Sequence, residues 1–493
     1  IAVLRLLQCF LTMKIYFLIQ DKNELVAVEV ELTLLPGLPG IQFLGLPDQH
    51  LKESAFRIKS AIKQSGFQFP IAQQILVNLR PNHKRKTSKG LELAIAAAYL
   101  WETEQAPKPV GSSDFYVYGE LTLGGEVIEP EDLRENLLKE HAVVLTGKIG
   151  SEKPAPFRRH LIQKLSDLST PEEKLAELQF EQPVAPNEIS RHSFSKNQAR
   201  LREILAVGEH SMLLAGPAGS GKTTLTKFVA ELLRPPSLKN FRDMRRVHRH
   251  FGEEISWRPM VRPHHTTPVM AMIGGGSVPF AGEISRAHGG VLILDELLEY
   301  SPVVQEAWRE PFEEGKIKVV RAGRMAEFPA QAQILATTNL CPCGDFTPMK
   351  EFKKNGKCRY SLTRCQSYSQ RLSGPLVDRF EMLEFTRPLK DFSVSGELIR
   401  SRVRKAQALN QNIFQDGLSN SRREIPPIMA SFAPGIAALI PKDFSSHRRR
   451  LATIRVARTL ADLDLSTQVQ SQHLSEALEW TQNNFAKLKR WEP

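Results

Sequence analysis

Three polar segments, each directly after an apolar run, carry residue types suited to phosphate chemistry. The first, GPAGSGKTT, follows MLLA and precedes a stretch with helical periodicity. Its glycines allow backbone N–H groups to face phosphate oxygens, and a helix N-terminus adds partial positive charge there. Lys222 is expected to reach the β- and γ-phosphates of a nucleotide, and the Thr223 hydroxyl to ligate Mg²⁺. The predicted nucleotide contacts are Gly216, Pro217, Ala218, Gly219, Ser220, Gly221, Lys222, Thr223, Thr224 and, from the next segment, Asp295.

The other two segments end predicted strands. GGVLILDEL places Asp295 and Glu296 after four apolar residues, and QILATTN ends in Asn339. We expect Asp295 to hold Mg²⁺ through water and Glu296 to polarise the attacking water. Asn339 is expected to orient that water or to sense the γ-phosphate. Each segment alone would also suit an ordinary strand end, but the three in this order indicate ATP hydrolysis.

Four of the five cysteines lie close together in the sequence, whereas Cys9 stands alone. Four thiolates can bind Zn²⁺ tetrahedrally, and a cluster in so large a chain suits a metal site in a reducing compartment better than disulfides. Four reduced thiols without a metal are the alternative. The candidate zinc ligands, within an insertion at 341–365, are Cys341, Cys343, Cys358 and Cys365.

The chain carries a net charge of +12, and basic residues concentrate in segments 234–265 and 400–455. Such a surplus permits binding to a polyanion, although a solvated basic face is the alternative. The segment GKIKVVRAGRMAEF predicts a hairpin whose basic side chains would grip a nucleic-acid backbone. Its alternative is an exposed hairpin with charged edges that prevent aggregation. The candidate DNA contacts are Lys316, Lys318, Arg321 and Arg324.

Of the 493 residues, 41% are hydrophobic and 24% are charged. This composition indicates roughly three globular domains and excludes collagen, a coiled coil or disorder as the main state. No run of about 18 apolar residues occurs, so neither a transmembrane helix nor a membrane partner is expected. The predicted divisions are 1–12, a non-native or start-site extension; 13–146, a mixed α/β domain; 147–193, a linker with one or two short helices; 194–390, an alternating α/β core; and 391–493, a helical domain.

The phosphate loop, the acidic strand and the polar strand, followed by LVDRFEM and a helical segment, resemble an AAA+ ATPase. Three stretches resemble the magnesium-chelatase-like ComM family of bacterial AAA+ proteins: RPHHTTPVMAMIGGGSVPFAGEISRAHGGVLILDEL, WREPFEEGKIKVVRAGR and RLSGPLVDRF. The resemblance runs from about residue 25 to the C-terminus. It implies an α/β fold with an AAA+ P-loop core and a helical lid, preceded by a degenerate Lon-protease-like α+β domain.

The resemblance further implies a homo-hexameric ring with ATP bound between subunits and with Mg²⁺ as cofactor. Arg379, in LVDRF, matches the arginine finger that reaches the neighbour's γ-phosphate, and Arg448, in SSHR, matches the second-sensor arginine of the lid. The basic hairpin and the glycine-rich MAMIGGGSVPFAGE loop would face the ring channel. For His264 and His265, which precede that loop, a structural or nucleic-acid contact is favoured over a metal site.

Two features depart from related proteins. Many ComM-like proteins carry C-P-C-G followed by a C-x-C pair, but here the second position of that pair is Tyr360, which leaves four-cysteine ligation open. In the front domain, Glu92 or Leu91 stands where the Lon nucleophile would lie. Ser88 and Lys89 are adjacent, so their side chains would diverge in an extended segment, and no peptidase activity is expected.

The resemblance therefore implies a cytoplasmic ATPase that couples hydrolysis to DNA translocation. It would be a helicase promoting branch migration of recombination intermediates in natural transformation, with branched or single-stranded DNA and recombination proteins as partners. One alternative is an AAA+ motor that remodels a protein partner, as in magnesium chelatase, although the chain has no D-x-S-x-S motif. The other is a non-catalytic adaptor, which the presence of Lys222, Asp295, Glu296 and Arg379 together disfavours.

Overall fold

The computed structural model contains two compact units, residues 1–182 and 183–493. Residues 1–12, predicted to be an extension, and Cys358 lie outside the part that the structure describes. The described residues are 15–21, 24–44, 49–80, 90–108, 115–130, 143–147, 158–169, 182–249, 251–276, 279–321, 324–344, 360–372, 374–386 and 392–482. No helix within these ranges combines the length and the apolar composition needed to span a membrane.

The first unit is built on a seven-stranded mixed sheet in the order β3-β4-β2-β1-β5-β8-β9. Strand β2 pairs antiparallel with β1 and β4, whereas the pairs on the β5-β8-β9 side are parallel. A short ribbon, β6-β7, and two helices complete the described part of the unit. The elements are β1 Ile15–Asp21, β2 Glu24–Pro36, β3 Gly40–Leu44, α1 Gln49–Gln64, β4 Gln73–Arg80, α2 Leu91–Glu102, β5 Phe115–Val117, β6 Glu120–Leu121, β7 Val127–Ile128, β8 Val143–Gly147 and β9 Arg158–Ile162.

Helix α2 is buried from Leu91 to Trp101, including the carboxylate of Glu92. The Ser54 hydroxyl donates to Glu92 Oε1 and the Leu121 backbone N–H donates to Oε2, both at 2.9 Å. Because a buried carboxylate is tolerated only when it is paired and hydrogen-bonded, Glu92 joins α1 and β6 to α2 as a structural anchor. Ser88 and Lys89 lie outside the described residues, so the absence of a protease dyad stays a prediction.

Part of the segment 147–193, predicted to be a linker, belongs to the sheet instead. Strand β9 pairs in parallel with β8 and forms the edge of the seven-stranded sheet. A 3₁₀ turn at Leu165–Ser169 follows, with Leu165 and Leu168 buried in the core of the first unit. The prolines and charges on either side concealed the short strand RRHLI.

The second unit contains a five-stranded, all-parallel sheet in the order β12-β15-β18-β11-β19. Its strands read as short apolar runs, as expected for a sheet covered on both faces. The other strands form hairpins or the β10-β20 ladder. The strands are β10 Ser193–Phe194, β11 Met212–Ala215, β12 Met260–Val261, β13 Gly274–Gly275, β14 Phe280–Ala281, β15 Val291–Leu294, β16 Lys316–Arg321, β17 Arg324–Pro329, β18 Gln333–Thr338, β19 Met382–Phe385 and β20 Val394–Ser395.

Helices connect these strands, and the described chain after β20 has no further strand. The longest helices, α13 and α15, pack on α3 and form the helical part of the unit. The helices are α3 Lys196–Gly208, α4 Lys222–Thr226, α5 Val229–Leu232, α6 Leu238–Arg249, α7 Val269–Ile273, α8 Glu283–Arg286, α9 Pro302–Ala307, α10 Arg309–Glu314, α11 Leu362–Ser369, α12 Gly374–Val377, α13 Gly396–Phe414, α14 Ile425–Ala430, α15 His447–Leu463 and α16 Ser471–Thr481.

The helix predicted after the phosphate loop is interrupted. Helix α4 ends at Thr226 and α5 begins at Val229, because Phe228 adopts a left-handed conformation with φ of 67°. This turn buries the Phe228 ring, whose centroid lies 4.7 Å from that of His192. Helical periodicity in the sequence does not mark this break.

Candidate active site

The three predicted polar segments meet at one edge of the five-stranded sheet. Strand β18 lies between β15 and β11, and all three run in the same direction. Their carboxyl ends therefore bring the phosphate loop, the Asp295-Glu296 pair and Asn339 side by side. This edge is where open α/β sheets commonly bind ligands.

The phosphate loop requires its glycines for two physical reasons. Gly221 has a φ of 81°, which favours a residue without a Cβ atom. At Gly216 a Cβ atom would lie 1.8 Å from the Thr386 hydroxyl oxygen, so any side chain there would clash. The backbone then enters α4 at Lys222, directly after β11 and its loop.

The Lys222 side chain is almost fully buried and crosses the loop to the end of β18. Its ammonium donates to the carbonyl oxygens of Gly216 and Pro217 at 2.9 and 2.8 Å, and to Asn339 Oδ1 at 2.9 Å. Burial lowers the pKa of Lys222, while the carboxylates of Asp295 and Glu296 offset part of that shift. The geometry thus places a cation among the loop carbonyls, next to the loop N–H groups that would bind phosphate.

Asp295 is at the centre of a polar network that includes the predicted Mg²⁺ ligand Thr223. The Thr223 hydroxyl lies 3.3 Å from Asp295 Oδ2, and the Thr337 hydroxyl, on β18, hydrogen-bonds Oδ1. Arg262, just after β12, forms an ion pair with the same carboxylate. A hydroxyl and a carboxylate so arranged suit a hard divalent cation, so Thr223 and Asp295 fit the predicted Mg²⁺ site.

Glu296 occupies a left-handed conformation with φ of 55°, which is unusual for a residue with a side chain. Its carboxylate is half exposed and lies 3.6 Å from His265 Nδ1. His265 is thus beside the predicted catalytic carboxylate, a position that the sequence analysis did not predict. Thr337 and Arg262 were also missed, although Arg262 and His265 both stand in the quoted RPHH motif.

Arg379 and Arg448 do not lie beside the phosphate loop of their own chain. Arg379 precedes β19, and its carbonyl accepts from the hydroxyl of Ser211, which precedes β11. Arg379 and Ser211 therefore lie at the amino edge of the sheet. Strands of four residues, at about 3.3 Å each, place this edge about 13 Å from the carboxyl edge. The guanidiniums of Arg379 and Arg448 meet there, each 3.0 Å from Oε1 of Glu313 on α10.

The three described cysteines of the predicted zinc site pack together. Cys341 Sγ lies 2.9 Å from Cys365 Sγ and 3.1 Å from Cys343 Sγ. Sulfurs around a tetrahedral Zn²⁺ stand about 3.8 Å apart, from a Zn–S bond of about 2.3 Å, so these thiols are closer than zinc ligands. Among the described residues, no group of His, Cys, Asp or Glu is arranged to hold a metal. Since Cys358 lies outside them, the zinc site stays a prediction.

The predicted hairpin exists as β16 and β17, paired from Lys316 with Pro329 to Arg321 with Arg324. Lys316 lies 3.3 Å from Glu327, and Lys318 lies 3.7 Å from Glu314. The two stem lysines are therefore partly neutralised. The side chains of Arg321 and Arg324, at the turn, are outside what the structure describes.

Comparisons with known proteins agree with this architecture along most of the chain. The family described as magnesium chelatase, subunit ChlI, matches residues 190–392, with separate matches to subunit ChlI of Mg-chelatase at 28–142 and to the ChlI C-terminal region at 394–481. YifB of Escherichia coli is 30% identical over 92% of this chain and 94% of that protein. The chain belongs to the magnesium-chelatase-like family that contains YifB and ComM.

Membership of this family makes the chain an AAA+ ATPase that uses ATP and Mg²⁺, with a helical C-terminal region and an α/β region in front. The competence protein ComM of Haemophilus influenzae is 29% identical over 92% of this chain and 94% of that protein. A weaker similarity, 22% over 42% of this chain and 25% of the other, joins it to the DNA replication licensing factor mcm6 of Dictyostelium discoideum. The family match at 190–392 includes the phosphate loop and the Asp295-Glu296 strand.

Proposed function

We propose that the protein is a cytoplasmic, ATP-driven DNA motor of the ComM type, a helicase that promotes branch migration of recombination intermediates. The observation that carries the motor chemistry is the contact set at the carboxyl edge of the sheet. Lys222 bonds Asn339, and Thr223 bonds Asp295, so the nucleotide loop is linked to the ends of β18 and β15. A change in the bound phosphate can thus be transmitted to β15 and β18.

Each polar group at this edge has a defined task in the proposed reaction. Lys222 neutralises phosphate oxygens, and Thr223 with Asp295 would hold Mg²⁺, which would supply further neutralisation of the phosphate charge. Glu296 orients the attacking water and accepts its proton as the water oxygen bonds to the γ-phosphorus; the bond from that phosphorus to the β,γ-bridging oxygen breaks, and ADP leaves with the electron pair. Asn339 fixes the position of Lys222 and faces the same water.

The remaining positive charges in this proposal come from a second copy of the chain. Arg379 and Arg448 lie at the amino edge of their own sheet, which supports a role for both at a neighbour's nucleotide. In a closed hexameric ring, each subunit would offer its phosphate loop to one neighbour and this arginine pair to the other. Such cations stabilise the charge that develops on the transferred phosphoryl group.

The DNA substrate is supported by the basic hairpin and by the relatives. The stem lysines have acidic partners, so Arg321 and Arg324 at the turn are the proposed principal phosphate contacts. A relative named as a competence protein and another named as a DNA replication licensing factor support a nucleic-acid substrate. Recombination proteins are the proposed protein partners.

The decisive experiment is strand separation on a mobile three-stranded DNA junction with ATP, together with a salt titration. Wild-type protein is expected to separate the strands, with activity falling as salt rises because phosphate contacts release counterions. Lys222→Ala is the inactive control. Two results together would contradict a DNA motor: normal ATP hydrolysis whose rate does not change when DNA is added, and no strand separation. They would favour remodelling of a protein partner.

A second experiment tests the hairpin itself. The double variant Arg321→Ala, Arg324→Ala is expected to retain ATP hydrolysis in the absence of DNA while losing DNA stimulation and strand separation. The matched control is the double variant Arg404→Ala, Lys405→Ala, which removes two exposed basic side chains from α13. Equal loss in both variants would show that general basic charge, rather than the hairpin, is responsible.

A further inference from the structure

Glu313 connects two arginines that come from distant parts of the second unit. It lies on α10, whereas Arg379 lies just after α12 and Arg448 in the first turn of α15. The Nη2 atoms of both arginines are 3.0 Å from one oxygen atom, Oε1 of Glu313. One carboxylate oxygen thus receives hydrogen bonds from two guanidiniums.

The two arginines depend on this carboxylate to different degrees. Arg379 is 12% exposed and also donates from Nη1 to the carbonyl oxygen of Pro375 at 2.8 Å. Arg448 is 51% exposed, and within the described residues its side-chain partner is Glu313. Without the carboxylate, the like charge of Arg379 would repel Arg448 toward solvent.

The backbone beneath the pair is already held in place by other groups. Asp378 Oδ1 accepts hydrogen bonds from the Ser446 hydroxyl at 2.7 Å and from Arg449 Nε at 3.2 Å. These contacts fix the start of α15 beside the turn that carries Arg379. Because the backbone is already held, the contribution of Glu313 is to orient the side chain of Arg448.

The geometry at Oε1 matches what a phosphoryl oxygen requires. Carboxylate and phosphate oxygens both accept short, charge-assisted hydrogen bonds from guanidiniums. Hydrogen bonds from Arg448 and Arg379 lower the pKa of Glu313, the contribution of Arg448 being the larger, so the group is ionised at neutral pH. Each guanidinium carries five N–H donors and gives Glu313 a hydrogen bond from Nη2 alone, so the converging pair keeps donors for a phosphoryl oxygen brought beside the carboxylate.

We propose that Glu313 is a positioning residue that presets Arg379 and Arg448 as a two-guanidinium receptor for the γ-phosphate of a nucleotide bound to a second copy. This inference rests on the proposed assembly, in which the arginine pair serves a neighbour's site. Glu313 does not contact the phosphate during the reaction. It lowers the cost of bringing two cations together before the neighbour's nucleotide arrives.

The test compares ATP hydrolysis and ATP binding in Glu313→Ala, Arg448→Ala and the double variant, without DNA. Glu313→Ala is expected to lower kcat about 10-fold, since an oriented cation then becomes a mobile one, while the Kd of a fluorescent ATP analogue stays unchanged. The loss of kcat in the double variant should be clearly smaller than the product of the two single losses, because Glu313 acts mainly through Arg448, whereas Arg379 is also held by the carbonyl oxygen of Pro375. Glu313→Asp and Glu313→Gln, which keep an oxygen acceptor, should restore part of the lost kcat.

The matched control is Glu306→Ala, which removes an exposed carboxylate from the preceding helix α9, where it pairs with Arg309. Its kcat should equal that of the wild type. Wild-type kcat in Glu313→Ala, or independent and multiplicative losses in the double variant, would overturn the role of Glu313. Arg379→Ala distinguishes the role of the arginine pair at a neighbour's nucleotide from the positioning role of Glu313. If it hydrolyses ATP like the wild type, the arginine site in trans fails as well; if it is inactive, a normal Glu313→Ala overturns only the positioning role.

Discussion

The ammonium of Lys222 and the side-chain oxygen of Asn339 lie 2.9 Å apart, which joins the phosphate loop to the end of β18 by one charge-assisted hydrogen bond. Lys222 also bonds two carbonyl oxygens of its own loop, so it is positioned before any phosphate competes for its protons. Asn339 is the one of these three acceptors that is a side chain. It can therefore be removed without changing the loop backbone.

Asn339→Ala should reduce ATP turnover much more than ATP binding. A hydrogen bond to a charged group contributes about 1.5–3 kcal/mol, which corresponds to about a 10- to 100-fold lower kcat if the bond acts in the transition state. Steady-state hydrolysis and equilibrium binding of a fluorescent ATP analogue measure the two quantities. Asn240→Ala, an exposed substitution on α6, is the control. A large rise in Kd with unchanged kcat would contradict the assignment.

Glu296→Gln should bind ATP with Mg²⁺ normally but should not turn it over. Its carboxylate is half exposed beside His265, and the amide keeps the shape while losing the basicity needed to accept a proton. Single-turnover hydrolysis and binding should be measured together, with Glu306→Gln as the control. Turnover at the wild-type rate would remove Glu296 from the mechanism.

The folded protein should lose stability as the pH falls from about 6.5 to about 4, partly because of His288. Burial, helped by the charges of Arg422, Arg246 and Arg258, lowers the pKa of His288 from 6.5 to about 4. The backbone N–H of Gln331 donates to its Nδ1 at 3.2 Å, which requires the neutral ring. Between these two pH values the unfolded chain binds a proton that the folded chain does not, so unfolding becomes more favourable.

Urea unfolding at pH 7 and pH 5 measures this effect. His288→Gln should show a smaller difference between the two midpoints than the wild type, because glutamine does not titrate. His192→Gln, an exposed histidine, should behave like the wild type. The same pH slope in wild type and His288→Gln would show that other groups account for the acid sensitivity.

The predicted zinc site is tested by the metal content of the protein: any zinc in the purified wild type should be lost in Cys365→Ser. Cys341, Cys343 and Cys365 already bring three sulfurs together, and Cys358 is the predicted fourth ligand. Elemental analysis with a thiol titration gives the metal content and the number of reactive cysteines. Cys9→Ser is the control and should retain the metal. A zinc-free wild type with four titratable thiols in the cluster would support the alternative of reduced cysteines.

Several elements could be predicted from local pattern. The apolar runs before GPAGSGKTT, before Asp295 and before Asn339 are strands, and the basic segment is a hairpin. The errors occurred where distant packing prevails over local preference. The helix after the phosphate loop breaks at Phe228, whose ring is buried, and β9 joins a sheet although prolines and charges surround it. For His265 the sequence favours a structural role or a contact with nucleic acid, whereas the fold places its ring beside the carboxylate of Glu296.

The sequence by itself determined the nucleotide chemistry, because the phosphate loop is a continuous segment whose glycines, lysine and threonine act through the local backbone. It also indicated the strand ends that supply Asp295, Glu296 and Asn339. Only the tertiary structure decided which distant charges meet. Glu313 is 66 residues from Arg379 and 135 from Arg448, and spacing along a chain does not predict contacts between separate elements. Their convergence at the edge opposite the phosphate loop is a property of the folded sheet and helices together.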